Sequence, residues 1–203
     1  LKAAQSFLEV ADSGSIDALV VGSGCQSVNE QLASCEILDS VLCAEHENFV
    51  DCIAANVAPT IQQVAEVYTH VLMPANTFGK DILPRVAAML NVEMLSDIMA
   101  VEAIDTVVRP IYAGNALARV RSNDSIKLVT VRSTAFDKIT LSSSESAKIE
   151  AVEPFTSASK TQLVSRECVE RERTDLSGAE VVVSGSRGLG SKENFAFVEQ
   201  LAD

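Results

Sequence analysis

Apolar positions follow one spacing in the first half of the chain and another after it. Ala4, Phe7, Leu8 and Ala11 recur at helical intervals until Asp12-Ser13-Gly14-Ser15 interrupts them. Ile16–Val21 is a compact apolar run closing on Gly22-Ser23-Gly24, which predicts a buried parallel strand. Val28, Leu32 and Cys35 mark a second helix, and Val41–Ala44 a second strand. Pro59 sits where a helix can begin, with Ile61, Val64, Ala65 and Tyr68 on one face. His70–Met73 is strand-like, and Ile82–Leu90 is helical, with Pro84 marking a start or a kink. Strands alternating with helices over residues 1–95 predict right-handed crossovers and a parallel sheet.

From Ile98 the period becomes two. Ile98–Ala103, Thr106–Tyr112, Ala116–Arg121 and Ile126–Val131 read as four short antiparallel strands. Ala113-Gly114-Asn115 and Ser122-Asn123-Asp124 between them are turn chemistry. Thr140–Lys160 is Ser-rich with little period and reads as a loop; the charged run Gln162–Arg173 reads as a solvated linker. Glu180 then opens a strand, Val181–Val183, followed by the Gly-rich Ser184–Ser191 and a helix from Lys192. The fold class is α/β: a parallel, Rossmann-like sheet with helices on both faces, extended by antiparallel strands. Residues 1–168 form the first domain, and 169–203 a linker and the start of a second α/β domain. There is no internal repeat.

Composition narrows the partners. With 47% apolar and 22% charged residues the chain is of globular type. Sixteen basic against 28 acidic residues give a net charge of −12. That balance argues against nucleic acid and anionic membrane surfaces, because phosphate neutralisation needs a basic face. The apolar runs are too short for a bilayer-spanning helix, so no membrane insertion is expected. The opening Leu1-Lys2-Ala3-Ala4 lacks a signal or Arg-rich transit pattern and predicts a trimmed N-terminus. Five cysteines (Cys25, Cys35, Cys43, Cys52, Cys168) include no C-x-x-C pair. Cys43 and His46 share a C-x-x-H spacing that nothing completes, so no metal site is expected and the cysteines read as reduced thiols. Reduced thiols favour a cytoplasm or an organelle matrix.

Chemistry concentrates in two turns. Ser184-Gly185-Ser186-Arg187-Gly188-Leu189-Gly190 places glycines and a cation between a strand and a helix start, where free N–H groups favour an anion. Its spacing matches neither G-x-G-x-x-G nor a P-loop, so nucleotide phosphate and a plain βα turn both stay open. Asn76-Thr77-Phe78-Gly79-Lys80 follows a strand at the position where open α/β sheets bind ligands. The simpler reading is a helix N-cap by Asn76 or Thr77 with Lys80 solvated. His46 lies in a charged loop, and Asp97 and Asp105 read as loop residues rather than a paired acid and base. No G-x-S-x-G elbow is present, and no catalytic residue is assigned.

Several blocks together resemble one family. Phe78-Gly79-Lys80-Asp81-Ile82-Leu83-Pro84-Arg85-Val86-Ala87-Ala88, Ser96-Asp97-Ile98, Arg109-Pro110-Ile111-Tyr112-Ala113-Gly114-Asn115-Ala116 and Val131-Arg132-Ser133-Thr134-Ala135-Phe136 resemble the electron transfer flavoprotein alpha subunit. Val181–Leu189 with Glu193-Asn194-Phe195 is similar to the start of that family's flavin domain. The resemblance implies an electron carrier rather than an enzyme, a heterodimer with a beta subunit, with one FAD and one AMP. Such a carrier takes electrons from acyl-CoA dehydrogenases and related enzymes, as in fatty acid beta-oxidation, to a membrane quinone oxidoreductase. It implies that AMP lies in the beta subunit, that the N-terminal alpha domain holds no nucleotide, and that the residue matching Arg187 contacts FAD. It also implies a strand ahead of the first helix and further FAD-binding sequence after Asp203, so the chain reads as a fragment or as the ordered part of a longer subunit. The implied location is the mitochondrial matrix, or a bacterial cytoplasm. Two other readings stand beside it: a cofactor-free fragment that only docks the beta subunit, and a free-standing domain binding nucleotide near Asn76–Lys80.

Overall fold

A computed structural model describes residues 1–141, 147–155, 161, 163–167, 176 and 179–202. It divides into two compact units, 1–163 and 164–203. In the first, α1 (Lys2–Ala11), β1 (Asp17–Gly22), α2 (Gln26–Ala33), β2 (Ser40–Glu45), α3 (Ala54–Ala65), β3 (His70–Pro74), α4 (Thr77–Leu90) and β4 (Met94–Ile98) alternate. Then come β5 (Ala100–Ala103), β6 (Thr106–Ile111), β7 (Ala116–Arg121), β8 (Lys127–Val131) and β9 (Lys148–Ala151). The architecture is mixed α/β with parallel sheets and an antiparallel extension, as the periodicity predicts.

The strands form three sheets of three: β1-β2-β9 and β3-β8-β4, both parallel, and antiparallel β5-β6-β7. Side chains of a strand alternate between faces. Leu19 and Val21 accordingly pack with α3 and α4 around Phe49, Val57, Leu83 and Val86, whereas Ala18 and Val20 pack with α2 around Ala33 and Cys35. Helices thus cover both faces. A third cluster joins Phe7 of α1 to Leu95, Ile98, Val107 and Val129.

Five sequence expectations need correction. Ile126–Val131 does not continue the antiparallel meander: β8 returns to the parallel sheet between β3 and β4. Leu128, Val129 and Thr130 are fully buried, and an uninterrupted buried run belongs to a central parallel strand. Ile98–Ala103 is not one strand but the end of β4 and all of β5, separated at Met99. The Thr140–Lys160 loop contains β9, paired with β2; its Ser-rich runs 142–146 and 156–160 lie outside the described residues. Pro59 and Pro84 lie inside α3 and α4, which start at Ala54 and Thr77. Each proline leaves one carbonyl without its helical donor, and burial of Leu83, Val86, Ile61 and Val57 outweighs that loss. Finally, Val181–Val183 pairs with no strand among the described residues, because a lone extended segment has no ladder to join. Most of the Gln162–Arg173 run also lies outside the described residues; 163–167 are irregular and exposed.

In the second unit, a 3₁₀ turn at Arg187–Leu189 and another at Glu193–Phe195 precede α5 (Ala196–Ala202). The helix thus starts four residues after Lys192. Gly185 sits where a Cβ would meet the side-chain ends of Leu189 at 2.5 Å and Val198 at 3.0 Å, so a larger residue there would make those side chains shift. No helix among the described residues is long and apolar enough to cross a membrane.

Candidate functional site

The C-terminal ends of β3, β8 and β4 gather residues that lie far apart in sequence. Asn76 caps α4, its Oδ1 accepting from the Gly79 N–H at 2.9 Å. This bears out the N-cap reading of the loop, and Lys80 is exposed. Gly79 is obligatory for a different reason: a Cβ there would lie 2.0 Å from the Pro74 carbonyl oxygen. The first turn of α4 therefore rests directly on the end of β3.

Asp97 takes a left-handed conformation (φ 59°) and breaks the β4–β8 register between Leu95 and Ile98. That irregularity turns its carboxylate onto Arg132, whose Nε donates to Oδ1 at 3.1 Å and whose Nη2 donates to Oδ2. The buried Thr130 hydroxyl accepts from the Asp97 N–H at 2.8 Å, and the Arg132 N–H donates to the Ile98 carbonyl at 3.0 Å. The Arg132 hydrogen bonds hold the Asp97 carboxyl below its usual range, aided by the fields of Arg132, Lys80 and Arg109 and opposed by partial burial. Arg109 is half-buried, with its Nε enclosed and unpartnered. One carboxylate is thus paired with Arg132 and lies in the fields of Lys80 and Arg109, on an otherwise acidic chain.

This cluster was not assembled by sequence reasoning, although each member lies in a block that carried the family resemblance. Asp97 and Asp105 do not pair with each other. Asp105 accepts from Arg121 Nε at 2.6 Å and from the Thr106 hydroxyl at 2.7 Å.

The histidines are also committed. His46 caps the 3₁₀ turn Glu47–Phe49, its Nδ1 accepting from the Asn48 N–H at 3.1 Å. His70 Nε2 donates to the Ile104 carbonyl at 2.7 Å while Nδ1 lies 2.9 Å from the Thr69 hydroxyl. Burial, helped by nearby Lys127, pushes the His70 pKa down against the opposing effect of the Ile104 hydrogen bond, favouring the neutral ring. Among the described residues, no three His, Cys, Asp or Glu side chains are grouped to hold a metal, and Cys25, Cys35, Cys43 and Cys52 are free thiols. A carboxylate locked by guanidinium and a neutral, doubly bonded imidazole make a fixed electrostatic scaffold, not a proton-transfer pair.

The other candidate, Arg187, lies in the second unit. Ser186 Oγ accepts from the Gly188 N–H at 3.4 Å, and Asn194 Nδ2 ties back to the Leu189 carbonyl at 2.6 Å. Gly190 is left-handed (φ 79°), and Arg187 is exposed. The turn offers an anion an exposed guanidinium and a tight Gly-rich backbone, without enclosing walls.

Comparison with known proteins places these arrangements. The Electron transfer flavoprotein domain model matches residues 1–156. The chain belongs to the electron transfer flavoprotein domain family. It is 42% identical over 193 residues to the electron transfer flavoprotein subunit alpha of Pseudomonas aeruginosa, covering 95% of this chain and 62% of that one. It is 39% identical over 202 residues to the mitochondrial electron transfer flavoprotein subunit alpha of Dictyostelium discoideum, covering 93% and 57%. With the alpha subunit of Paracoccus denitrificans it shares 38% over 202 residues, covering 98% and 64%. The chain therefore spans about three-fifths of the length of these curated relatives. The resemblance drawn from its motif blocks is borne out.

Proposed function

We propose that this chain is the N-terminal part of the alpha subunit of a heterodimeric electron transfer flavoprotein. It carries electrons from acyl-CoA dehydrogenases and related enzymes to a membrane quinone oxidoreductase, and turns over no substrate of its own. The carrying observation is that similarity to proteins named as alpha subunits covers 93–98% of the chain and is not confined to the domain match. FAD, when bound, supplies the electron chemistry; the protein positions it and tunes it. In this reading residues 1–168 form the nucleotide-free N-terminal domain and 169–203 lead into the flavin domain. Arg187 supplies a planar bidentate donor to FAD, with the remaining contacts coming from sequence after Asp203. AMP belongs to the beta subunit. The proposed compartment is a mitochondrial matrix or, for a bacterial source, the cytoplasm.

Co-expression with a beta subunit, followed by size exclusion and visible spectroscopy, tests this. The chain is expected to co-elute with the beta subunit. Ended at Asp203 it is expected to be colourless, and extended to the length of its relatives it is expected to carry flavin. A monodisperse monomer that ignores the beta subunit overturns the assignment. Colourless complexes at both lengths would favour the docking fragment instead.

A further inference from the structure

β9 is an edge strand of its sheet and lies along one side of β2. The two strands differ in character. β2 carries Val41, Leu42, Cys43 and Ala44 in succession, with Val41 and Ala44 fully buried. β9 is four residues long, alternates Lys148 and Glu150 with Ile149 and Ala151, and has no buried position. An apolar strand left at a sheet edge invites pairing with another chain, and a short charged strand laid over it removes that hazard.

Little apolar contact keeps this cover in place. None of residues 148–155 is buried, and Ile149 and Phe155 are 43% and 55% exposed. The Lys148–Glu150 ion pair joins two residues of β9 itself, so it does not fasten the strand to β2. Hydrogen bonds at defined points do the fastening. At the near end Ala147 is buried with Ile16, Ala33 and Leu38, and its N–H donates to the Ala33 carbonyl of α2 at 3.1 Å. Along the strand, Lys148 donates to the Asp39 carbonyl at 3.3 Å and Val152 to the Cys43 carbonyl at 2.8 Å.

The far end is held differently. A hydroxyl can donate one hydrogen bond while accepting others, and that of Thr60 in α3 does both toward a single residue 95 positions away. Thr60 Oγ1 accepts from the Phe155 N–H at 3.1 Å and donates to the Phe155 carbonyl at 3.3 Å. Thr60 is fully buried, so water does not compete for its hydroxyl. The chain leaving β9 is thus pinned across the sheet edge to a helix on the opposite face from α2.

We propose that residues 148–155 form a hinged cover over the β2 edge, anchored at Ala147 and latched by the Thr60 hydroxyl, which opens as one piece while the rest of the first unit stays folded. A segment with few buried apolar contacts opens at a lower free energy than the core beside it. Opening releases the Asp39 and Cys43 carbonyls and bares β2; latching seals that edge. The inference does not depend on the proposed electron-transfer function, and its readouts involve neither flavin nor a beta subunit.

Residue-resolved hydrogen exchange on the whole chain, repeated across low denaturant concentrations, tests this. In a strand one residue's N–H and C=O point the same way and successive residues alternate. The Cys43 N–H therefore faces β9 along with its carbonyl, while the Leu42 and Ala44 amides face β1. The Cys43, Val152 and Phe155 amides are expected to share one opening, with a smaller denaturant dependence than Leu42 and Ala44. Exchange of all five with the same free energy and the same denaturant dependence means that the cover moves only on global unfolding, and overturns the proposal.

Thr60→Val replaces the hydroxyl with a methyl group, and Thr60→Ser keeps the hydroxyl. In Thr60→Val the three cover amides are expected to exchange ~10-fold faster or more, and by a common factor, as for the loss of one or two neutral hydrogen bonds. Thr60→Ser is expected to hold the parent rates at those amides. Acceleration at Phe155 alone would show a fraying end rather than a cover, and overturns the proposal. Equal acceleration in both variants would show that the hydroxyl is not the latch, with the same consequence. Should Thr60→Val fail to fold, the denaturant series on the parent chain decides alone.

Discussion

Asn76–Lys80 and Ser186–Gly190 use the same local chemistry in different surroundings. In each, a polar side chain accepts from a glycine N–H two or three residues later, with a cation nearby. At Asn76 that bond is 2.9 Å, and Gly79 is pressed against the Pro74 carbonyl beside the buried Ile82 and Leu83. At Ser186 it is 3.4 Å, and a Cβ on Gly188 would find only Ser186 Oγ at 3.8 Å. The difference lies in what encloses each turn. The first closes a packed sheet end, and Lys80 adds its field at Asp97; the second presents Arg187 to solvent. Local capping makes a turn, and packing around it decides whether the turn is architecture or a place for a ligand.

The comparison breaks most readily at the glycines. Gly79→Ala forces backbone apart and is expected to destabilise the first unit by about 3 kcal/mol, at the upper end of overpacking costs. Gly188→Ala is expected to stay within about 0.5 kcal/mol, as for an open surface position. Thermal melting of both variants checks this, and similar shifts would erase the distinction. For a full-length subunit, Arg187→Ala is expected to weaken FAD by roughly 10- to 150-fold, the equivalent of one charge-assisted hydrogen bond. Arg187→Lys should be intermediate, and the melting of the first unit should not change. Retention of full flavin by the alanine variant would reduce Arg187 to a turn residue.

Electrostatics sharpens the same contrast with smaller effects. The folded Asp97 pKa lies below its ordinary 3.8, so its contribution is present above that value and is lost as pH falls through the folded one. Arg132→Ala should lower stability at neutral pH and flatten this acid limb, as followed by denaturant titration across pH. An acid limb as steep as that of the parent chain would mean that the pair stores no stability. His70 is the mildest case. Its pKa is lowered from 6.5 by burial, so the unfolded chain binds the proton first and stability declines as pH drops below 6.5. His70→Gln should remove that decline, and an unchanged pH profile would show that the ring is not held neutral.

Much of the architecture was legible because it is written over short distances. Phe7 and Leu8 in α1, Leu19 and Val21 in β1, and the alternation of Arg119 and Arg121 in β7 each announce a period to their immediate neighbours. Asn76 as a cap follows from its short polar side chain and needs nothing distant. Pro59 and Pro84 misled for the same reason: the local rule stops a helix at proline, and only the buried faces of α3 and α4 explain why these continue.

The family itself was also in the sequence, since motif blocks in a fixed order need no coordinates to be compared. Partner choice was not. Lys127–Val131 is an apolar run that suits an antiparallel edge or a parallel centre equally; its place between β3 and β4 depends on which pairing buries Leu128, Val129 and Thr130. The Asp97–Arg132 pair, 35 positions apart, exists because β4 and β8 happen to lie side by side with a break in register. The sequence by itself determined the elements, their turns and the acidic balance, because those forces act within a few residues. The tertiary structure alone decided the order of the strands and the cluster at their ends, because burial is settled by the whole chain at once.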